Sequence, residues 1–128
     1  MFQVMIIDTA RDAADLLVPL FEACEGEKVV AAHLDGERRV IGTSEASGSA
    51  ASVPLPIRSI IADAMRLGAS GLIVAHNHPS GDPRPSEADL DATRALAIAA
   101  EPLGIRLFDH LIVGAAGRCR SLRALGLI

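Results

Sequence analysis

The sequence predicts a single mixed α/β (α+β) domain in which helices pack on one sheet. Its 128 residues are the size of one ordinary domain. Half of the residues are hydrophobic and 22% are charged, which is a globular composition. Short apolar runs alternate with segments of helical periodicity in the order β-α-β-β-α-β-α-β-β, which indicates a layered sheet with helices on it.

The first elements are a short strand and a helix. Residues 1–7 are apolar and predict the strand, and Asp8 or Thr9 can cap the helix that follows. Apolar residues recur at helical spacing between Ala10 and Cys24, and Glu25–Gly26 is the expected end of this helix.

A hairpin comes next. Residues 28–34 read KVVAAHL and predict a strand, residues 35–38 a turn, and residues 39–43 the returning strand. The small polar residues of 44–52 predict a loop that can continue into an edge strand.

The middle of the chain predicts a helix, a buried strand and a loop. Periodicity indicates a helix over residues 57–67 that stops at Gly68. The wholly apolar run 72–75 is typical of a central strand buried on both faces. The Pro/Gly-rich stretch HNHPSGDPRP at 76–85 predicts a loop rather than a helix or a paired strand.

The remaining segments predict one helix and two strands. An Ala-rich helix is expected from Ser86 to about Leu103–Gly104. Residues 105–113 predict a strand, 114–117 a turn, and 118–122 the last strand. No linker and no repeat divides the chain.

Composition argues against several classes of function. The net charge is −4, and there are three Phe, no Tyr and no Trp, so neither a basic field nor stacking platforms favour nucleic-acid binding. No apolar run is long enough to span a membrane, and we expect no signal peptide. Cys24 and Cys119 cannot build a four-cysteine zinc site; one disulfide is possible, but free thiols in the cytoplasm are the expectation.

Two histidines and an aspartate predict a metal site. His76 and His78 stand at i and i+2 after the buried strand, so in extended backbone their side chains share a face. Asp89 lies in the first turn of the next helix, three residues after Ser86. Two imidazoles and one carboxylate form a three-ligand Zn²⁺ site with a fourth position for water, whose pKa zinc lowers toward about 7.

Ordinary structural roles explain some of the same residues. Ser86 and Asp89 also form the pattern of a helix capping box, which is compatible with a ligand at a rigid helix start. Asn77 points away from the metal face and can bond loop backbone, and Asp82 before Pro83 is a turn residue.

A hydrolytic metal site also needs a general base. Glu22, Glu25 and Glu27 lie near the end of the first helix, and each has the ordinary role of a solvated charge. Spacing alone does not choose among them.

The motif-bearing stretch of 27–122 resembles the RadC-like JAB/MPN domain, the bacterial branch of the JAMM metalloproteases. The resemblance rests on HNHPSGDPRPSEAD, which fits the pattern HxHPx6SxxD, and on the later DHLIVG. It implies a cytidine-deaminase-like fold, with His76, His78 and Asp89 as zinc ligands. It also implies that Ser86 stabilises the oxyanion and that Glu27, at the start of a strand ending in Leu-Asp, is the general base.

The chain departs from the family pattern in two places. Relatives read His-Pro-Arg-Glu before the second helix, where this chain has Ile57-Arg58-Ser59 after Leu55-Pro56, so any role of that Glu in substrate or partner contact is lost here. Relatives also carry an N-terminal helix-hairpin-helix-like region for which 128 residues leave no room. Asp109 and His110 match the family's Asp-His pair, and we expect His110 to support the site rather than bind the metal.

Three functions follow from these residues. The first is a JAMM-type zinc metallohydrolase that cleaves a peptide or isopeptide bond in a polypeptide substrate. The second is a nucleic-acid enzyme linked to DNA repair, for which scattered arginines could form a local patch, namely Arg84, Arg94, Arg118, Arg120 and Arg123. The third is a non-catalytic MPN interaction module. No membrane partner is expected, and the sequence indicates neither the substrate nor the oligomeric state.

Overall fold

The structure, a computed structural model, describes residues 5–22, 26–48 and 55–128. Within these ranges five strands form one mixed sheet: β1 (Glu27–Leu34), β2 (Val40–Gly48), β3 (Gly71–Asn77), β4 (Arg106–Val113) and β5 (Cys119–Ser121). Their order across the sheet is β2-β1-β3-β4-β5. Only the β3–β4 pair is parallel, and the other three pairs are antiparallel.

Three α-helices pack on this sheet: α1 (Ala10–Leu17), α2 (Ile57–Leu67) and α3 (Glu87–Ala100). Short 3-10 turns follow α1 at Val18–Phe21 and α3 at Glu101–Leu103, and a third lies at Ala115–Gly117. The predicted mixed α+β architecture with helices on the sheet is confirmed.

The sheet is covered on both faces, which is why β1 and β3 are apolar at nearly every position. On one face α1 and the turn after it bury Leu17 and Phe21 against alternate residues of β1, β3 and β4. On the other face α2 and α3 bury Ile60 and Leu96 against the intervening residues of β1 and β3. The result is a three-layer arrangement with β3 in the middle of the sheet.

Local sequence signals explain the end of α2 and the start of α3. Gly68 ends α2 in the left-handed conformation (φ 66°), which glycine adopts without a steric penalty. Ser86 and Asp89 form a complete capping box at the start of α3, so two of the free amides there are bonded.

The prediction that the first helix runs to Cys24 is wrong. The α-helix ends at Leu17, because Pro19 has no N–H to continue the ladder, and a 3-10 turn carries the chain to Phe21. Residues 23–25 lie outside the described ranges, and with them Cys24 and Glu25, whereas Gly26 of the predicted helix stop is described.

The structure decides one open alternative and corrects one loop boundary. Strand β2 continues to Gly48, because the small polar residues from Ser44 onward pair with β1 at the edge of the sheet; residues 49–52 are not described. Strand β3 includes His76 and Asn77, which the sequence assigned to the loop, because both pair with β4.

The predicted N-terminal strand is only partly described. Residues 1–4 fall outside the described ranges, and Ile6 forms a single antiparallel bridge with Arg39. The described helices include none of the length and apolarity that a membrane crossing requires. Cys119 is a free thiol, and burial raises its pKa to about 11.

Candidate metal centre

The candidate centre lies where the central strand ends and the crossover helix begins. His76 is the second-last residue of β3, and His78 comes directly after the strand ends at Asn77. The chain then returns through α3 to the parallel strand β4, so Asp89 in the first turn of α3 comes back to the same edge. In α/β structures, ligand sites form at the carboxyl ends of parallel strands.

Three side chains meet at this edge. One Asp89 carboxylate oxygen, Oδ1, lies 3.0 Å from His76 Nε2, and the other, Oδ2, lies 2.9 Å from His78 Nε2. Their three candidate ligand atoms all lie within 4.8 Å of one another. His76 and Asp89 are only 5% and 3% exposed, while His78 is half-buried and leaves the centre open on one side.

A backbone carbonyl fixes the orientation of the His78 ring. His78 Nδ1 lies 2.8 Å from the carbonyl oxygen of Asp82. A carbonyl oxygen only accepts hydrogen bonds, so the proton of neutral His78 is on Nδ1. The Nε2 atom that faces Asp89 therefore carries a lone pair, as a metal ligand must.

A longer relay does the same for His76. The Thr93 hydroxyl donates to the Asp89 carbonyl oxygen at 2.7 Å, so its oxygen accepts from His110 Nδ1, at 2.5 Å. Burial lowers the pKa of His110 to about 3, which keeps the ring neutral and leaves its Nε2 without a proton. His110 Nε2 then accepts from His76 Nδ1 at 2.7 Å. The second nitrogen of His76 is thus also a lone pair aimed at Asp89.

This donor set fits a cation. Neutral His76 and His78 present lone pairs to a carboxylate at hydrogen-bond distance, and such contacts repel unless a metal ion or protons lie between them. Burial acts to raise the pKa of Asp89, but the backbone amide of Ser86 donates a hydrogen bond to its carboxylate and acts to lower the pKa. The carboxylate is therefore ionised and ready to ligate.

Ser86 lies beside the candidate ligand Asp89. Its Oγ accepts from the Asp89 amide at 3.1 Å, and its own amide donates to Asp89 Oδ2 at 2.7 Å. The capping function predicted from sequence is present, and it holds the ligand carboxylate in place. The Ser86 side chain is exposed, so its hydroxyl proton is accessible to a molecule bound at the centre.

Glu27 begins β1 on the sheet face that carries the ligands. Val29 pairs with His76, so continuing this antiparallel register places Glu27 opposite His78. Asn77 fastens the strand there: its Nδ2 donates to the Gly26 carbonyl at 2.8 Å, and its Oδ1 accepts from the Lys28 amide at 2.8 Å. These two bonds bracket Glu27, and they bear out the prediction that Asn77 bonds backbone.

The remaining acidic candidates differ in their surroundings, and one of them is not described. Glu22 is exposed and lines a cavity together with His78, whereas Glu25 lies outside the described residues. The Asp82 side chain bonds Arg84 instead. Asp109 accepts from the Ser121 hydroxyl at 2.5 Å and the Arg123 amide at 3.1 Å, so it stabilises the turn after β5.

Sequence reasoning missed Thr93 as part of this site. Its only sequence signal is its place one helical turn after Asp89, on the same face of α3, and that spacing is common in any helix. His33, to which no role was assigned, is fully buried with Nε2 2.7 Å from the Ser44 hydroxyl, away from the centre.

Comparison with known proteins agrees with the geometry. The model of the RadC-like JAB domain family matches residues 7–127. A UPF0758 protein of Rhodobacter capsulatus is 47% identical over 96 residues, which are 74% of this chain and 44% of the relative. A UPF0758 protein of Moorella thermoacetica is 39% identical over 124 residues, which are 96% of this chain and 54% of the relative.

A third relative, a UPF0758 protein of Ruegeria pomeroyi, is 44% identical over 91 residues, which are 70% of this chain and 41% of the relative. The chain thus spans about half the length of the curated relatives it matches. The family match over nearly the whole chain, together with the mixed sheet and the His-His-Asp group, leads to one conclusion. The chain belongs to the RadC-like JAB domain family.

Proposed function

We propose that this domain is a zinc-dependent hydrolase of the JAMM type that cleaves a peptide or isopeptide amide bond with water. One observation carries the proposal: His76, His78 and Asp89 present three ligand atoms within 4.8 Å, at a centre that is open on the His78 side. Three protein ligands with an open position are the pattern of catalytic zinc sites, whereas structural zinc sites are closed by four protein ligands.

The donor set supports zinc over the other common ions. Two imidazole nitrogens and one carboxylate oxygen suit Zn²⁺, while Mg²⁺ and Ca²⁺ prefer oxygen ligands alone. Non-haem Fe²⁺ uses the same three donors, but it binds such sites more weakly than zinc in the general affinity order. Elemental analysis distinguishes the two metals.

Glu27 and Ser86 provide the two catalytic groups that act beside the metal ion. A bound Zn²⁺ supplies a water of lowered pKa and polarises a carbonyl oxygen. The Glu27 carboxylate accepts the proton of the attacking water and returns it to the amine nitrogen as the C–N bond breaks. The Ser86 hydroxyl donates a hydrogen bond to the carbonyl oxygen as negative charge develops there.

The test is turnover on fluorescence-quenched libraries of linear peptides and of lysine ε-linked isopeptides. We expect activity that a chelator removes and added Zn²⁺ restores. Glu27→Gln should retain zinc and lose at least about 100-fold in kcat, because the proton acceptor is gone. Glu37→Gln is the matched control, since Glu37 is exposed and pairs with Arg39 at the opposite end of β1.

Three results would contradict parts of this proposal. Full activity in Glu27→Gln with loss in Glu22→Gln would move the role of base to Glu22. Metal-dependent cleavage of oligonucleotides in place of both peptide libraries would support the nucleic-acid alternative. A protein that binds no zinc when zinc is added would support a non-catalytic module.

A further inference from the structure

Three arginines surround a cavity beside the candidate centre. Arg84 from the loop after β3, and Arg118 and Arg120 from the segment around β5, line a cavity of about 480 Å³. All three side chains are exposed. The chain as a whole has a net charge of −4, so this positive cluster is a local feature against an acidic background.

The cluster is not neutralised by its own surroundings. Arg84 pairs with Asp82, with 2.7 Å between Nη2 and Oδ2. No ion pair joins Arg118 or Arg120 to an acid anywhere in the described ranges. One carboxylate thus faces three guanidinium groups, and two positive charges remain for a ligand.

Strand register fixes the distance from this cluster to the metal ligands. His76 pairs with Ile112 on β4, and Ile112 pairs with Arg120 on β5. The three residues form one row on one face of the sheet, and adjacent strands are about 4.8 Å apart. The backbone of Arg120 is therefore about 10 Å from that of His76, which equals about three residues of an extended chain.

The loops that carry the cluster are held firmly together. The Ala115 amide donates to the Gly81 carbonyl at 2.9 Å, and the His78 amide donates to the Val113 carbonyl at 3.0 Å. At Gly114 a Cβ atom would lie only 2.4 Å from the Gly81 oxygen, so the two loops touch backbone to backbone. The backbone segments that carry the arginines are thus packed against each other and against the segment that carries His78.

A second cavity lies beside the arginine cavity, and one of the candidate metal ligands lines it. It has a volume of about 640 Å³ and is lined by His78. Gly81 and Ala115 line both cavities, so only small side chains separate the two.

We propose that the arginine cavity binds an acidic side chain of a polypeptide substrate, about three or more residues from the bond that is cleaved. This inference rests on the proposed amide hydrolysis and names its substrate class. Guanidinium groups bind carboxylates through paired hydrogen bonds of defined geometry. Binding one acidic side chain in a rigid cavity would therefore fix the register of an extended substrate relative to the metal ligands.

The same features disfavour a nucleic acid. A strand of nucleic acid would carry a phosphate at every step, including past the exposed carboxylate of Glu22, which repels it. Among the described residues that line the cavity containing His78, Phe21 is the one phenyl ring, and it is only 8% exposed. Base stacking has no platform there.

The test measures binding of three fluorescein-labelled probes by anisotropy at low salt: an octapeptide with four Glu, the same peptide with four Gln, and an eight-nucleotide DNA strand. The protein variants are Arg118→Gln/Arg120→Gln and the control Arg11→Gln/Arg58→Gln, which removes the same charge from exposed positions on α1 and α2. We expect the Glu peptide to bind at least tenfold more tightly than the Gln peptide. The first variant should weaken that binding at least tenfold, and the control less than twofold.

Equal binding of the Glu and Gln peptides, or equal losses in the two variants, would overturn the inference. Tighter, arginine-dependent binding of the DNA strand would overturn it in favour of a nucleic acid. Because binding is measured without turnover, the two proposals fail separately. Arginine-dependent binding without hydrolysis contradicts the enzyme alone, whereas hydrolysis with no preference for acidic residues contradicts the arginine cavity alone.

Discussion

The Nε2 atom of His110 lies 2.7 Å from Nδ1 of His76, and this contact determines which nitrogen of His76 faces Asp89. The two histidines come from neighbouring parallel strands, 34 residues apart in sequence. Behind them the Thr93 hydroxyl fixes the proton of His110. Thr93 and His110 therefore orient the candidate ligand His76 from behind.

Thr93→Val tests this relay. The change keeps the shape of the side chain and removes the hydroxyl, so the His110 proton loses its acceptor and the His76 tautomer is no longer fixed. We expect metal affinity to fall about 10- to 100-fold, as it does when comparable outer partners are removed. Chelator competition measures the affinity, and Thr43→Val on the exposed edge strand is the control. Unchanged affinity in Thr93→Val would refute the relay.

Asn77→Ala tests the attachment of the strand that carries Glu27. Two hydrogen bonds to the backbone of Gly26 and Lys28 are lost, each worth about 1 kcal/mol. We expect the free energy of unfolding to fall by about 2 kcal/mol and the Lys28 amide to exchange faster, while zinc stays bound. Amide exchange followed by NMR is the measurement, and a Lys28 amide as protected as in wild type would contradict the assignment.

Gly114→Ala tests the packing of the loop that carries His78. An added Cβ would meet the Gly81 oxygen at 2.4 Å and Pro83 Cδ at 2.9 Å, so the two loops must separate. Such overpacking costs about 1–3 kcal/mol of stability. We expect Gly114→Ala to lose metal affinity as well as stability, because the displaced loop holds His78. Gly36→Ala, whose nearest neighbour is Ser70 Oγ at 3.9 Å, should change neither thermal stability nor metal affinity appreciably.

Stability should depend on pH through His33. Burial lowers the pKa of His33, with Asp63 acting to raise it and Arg66 to lower it. Below the ordinary pKa of about 6.5 the unfolded chain binds a proton that the folded chain does not, so stability falls as pH falls. Urea unfolding of the wild type and of His33→Gln between pH 7 and pH 5 measures the slope. The variant should lose less stability on acidification, and equal losses would contradict this role of His33.

The sequence predicted the elements whose signals are local. Helix α2 has the predicted bounds because its periodicity and Gly68 lie within one segment. The helix after Thr9 was drawn too long because apolar spacing was followed past Pro19. The extension of β2 was undecided because an edge strand of small polar residues is defined by its partner, and the partner is not visible in its own sequence.

The candidate site divides in the same way. His76, His78, Ser86 and Asp89 follow one another within a single strand–loop–helix, so their spacing indicated a common site. The contacts of Asn77 with Gly26 and of Thr93 with His110 join segments whose proximity depends on the sheet order. No local pattern encodes those contacts, and only the folded chain shows them.

The central claim is that His76, His78 and Asp89 hold one metal ion, and metal content tests it most directly. Elemental analysis of protein dialysed against Zn²⁺ should find one zinc ion per chain in the wild type and in Asp91→Asn, whose carboxylate is exposed on the same helix. Asp89→Asn should bind none at the same protein concentration while remaining folded by circular dichroism. Equal zinc in all three proteins, or no zinc in the wild type, would contradict the account.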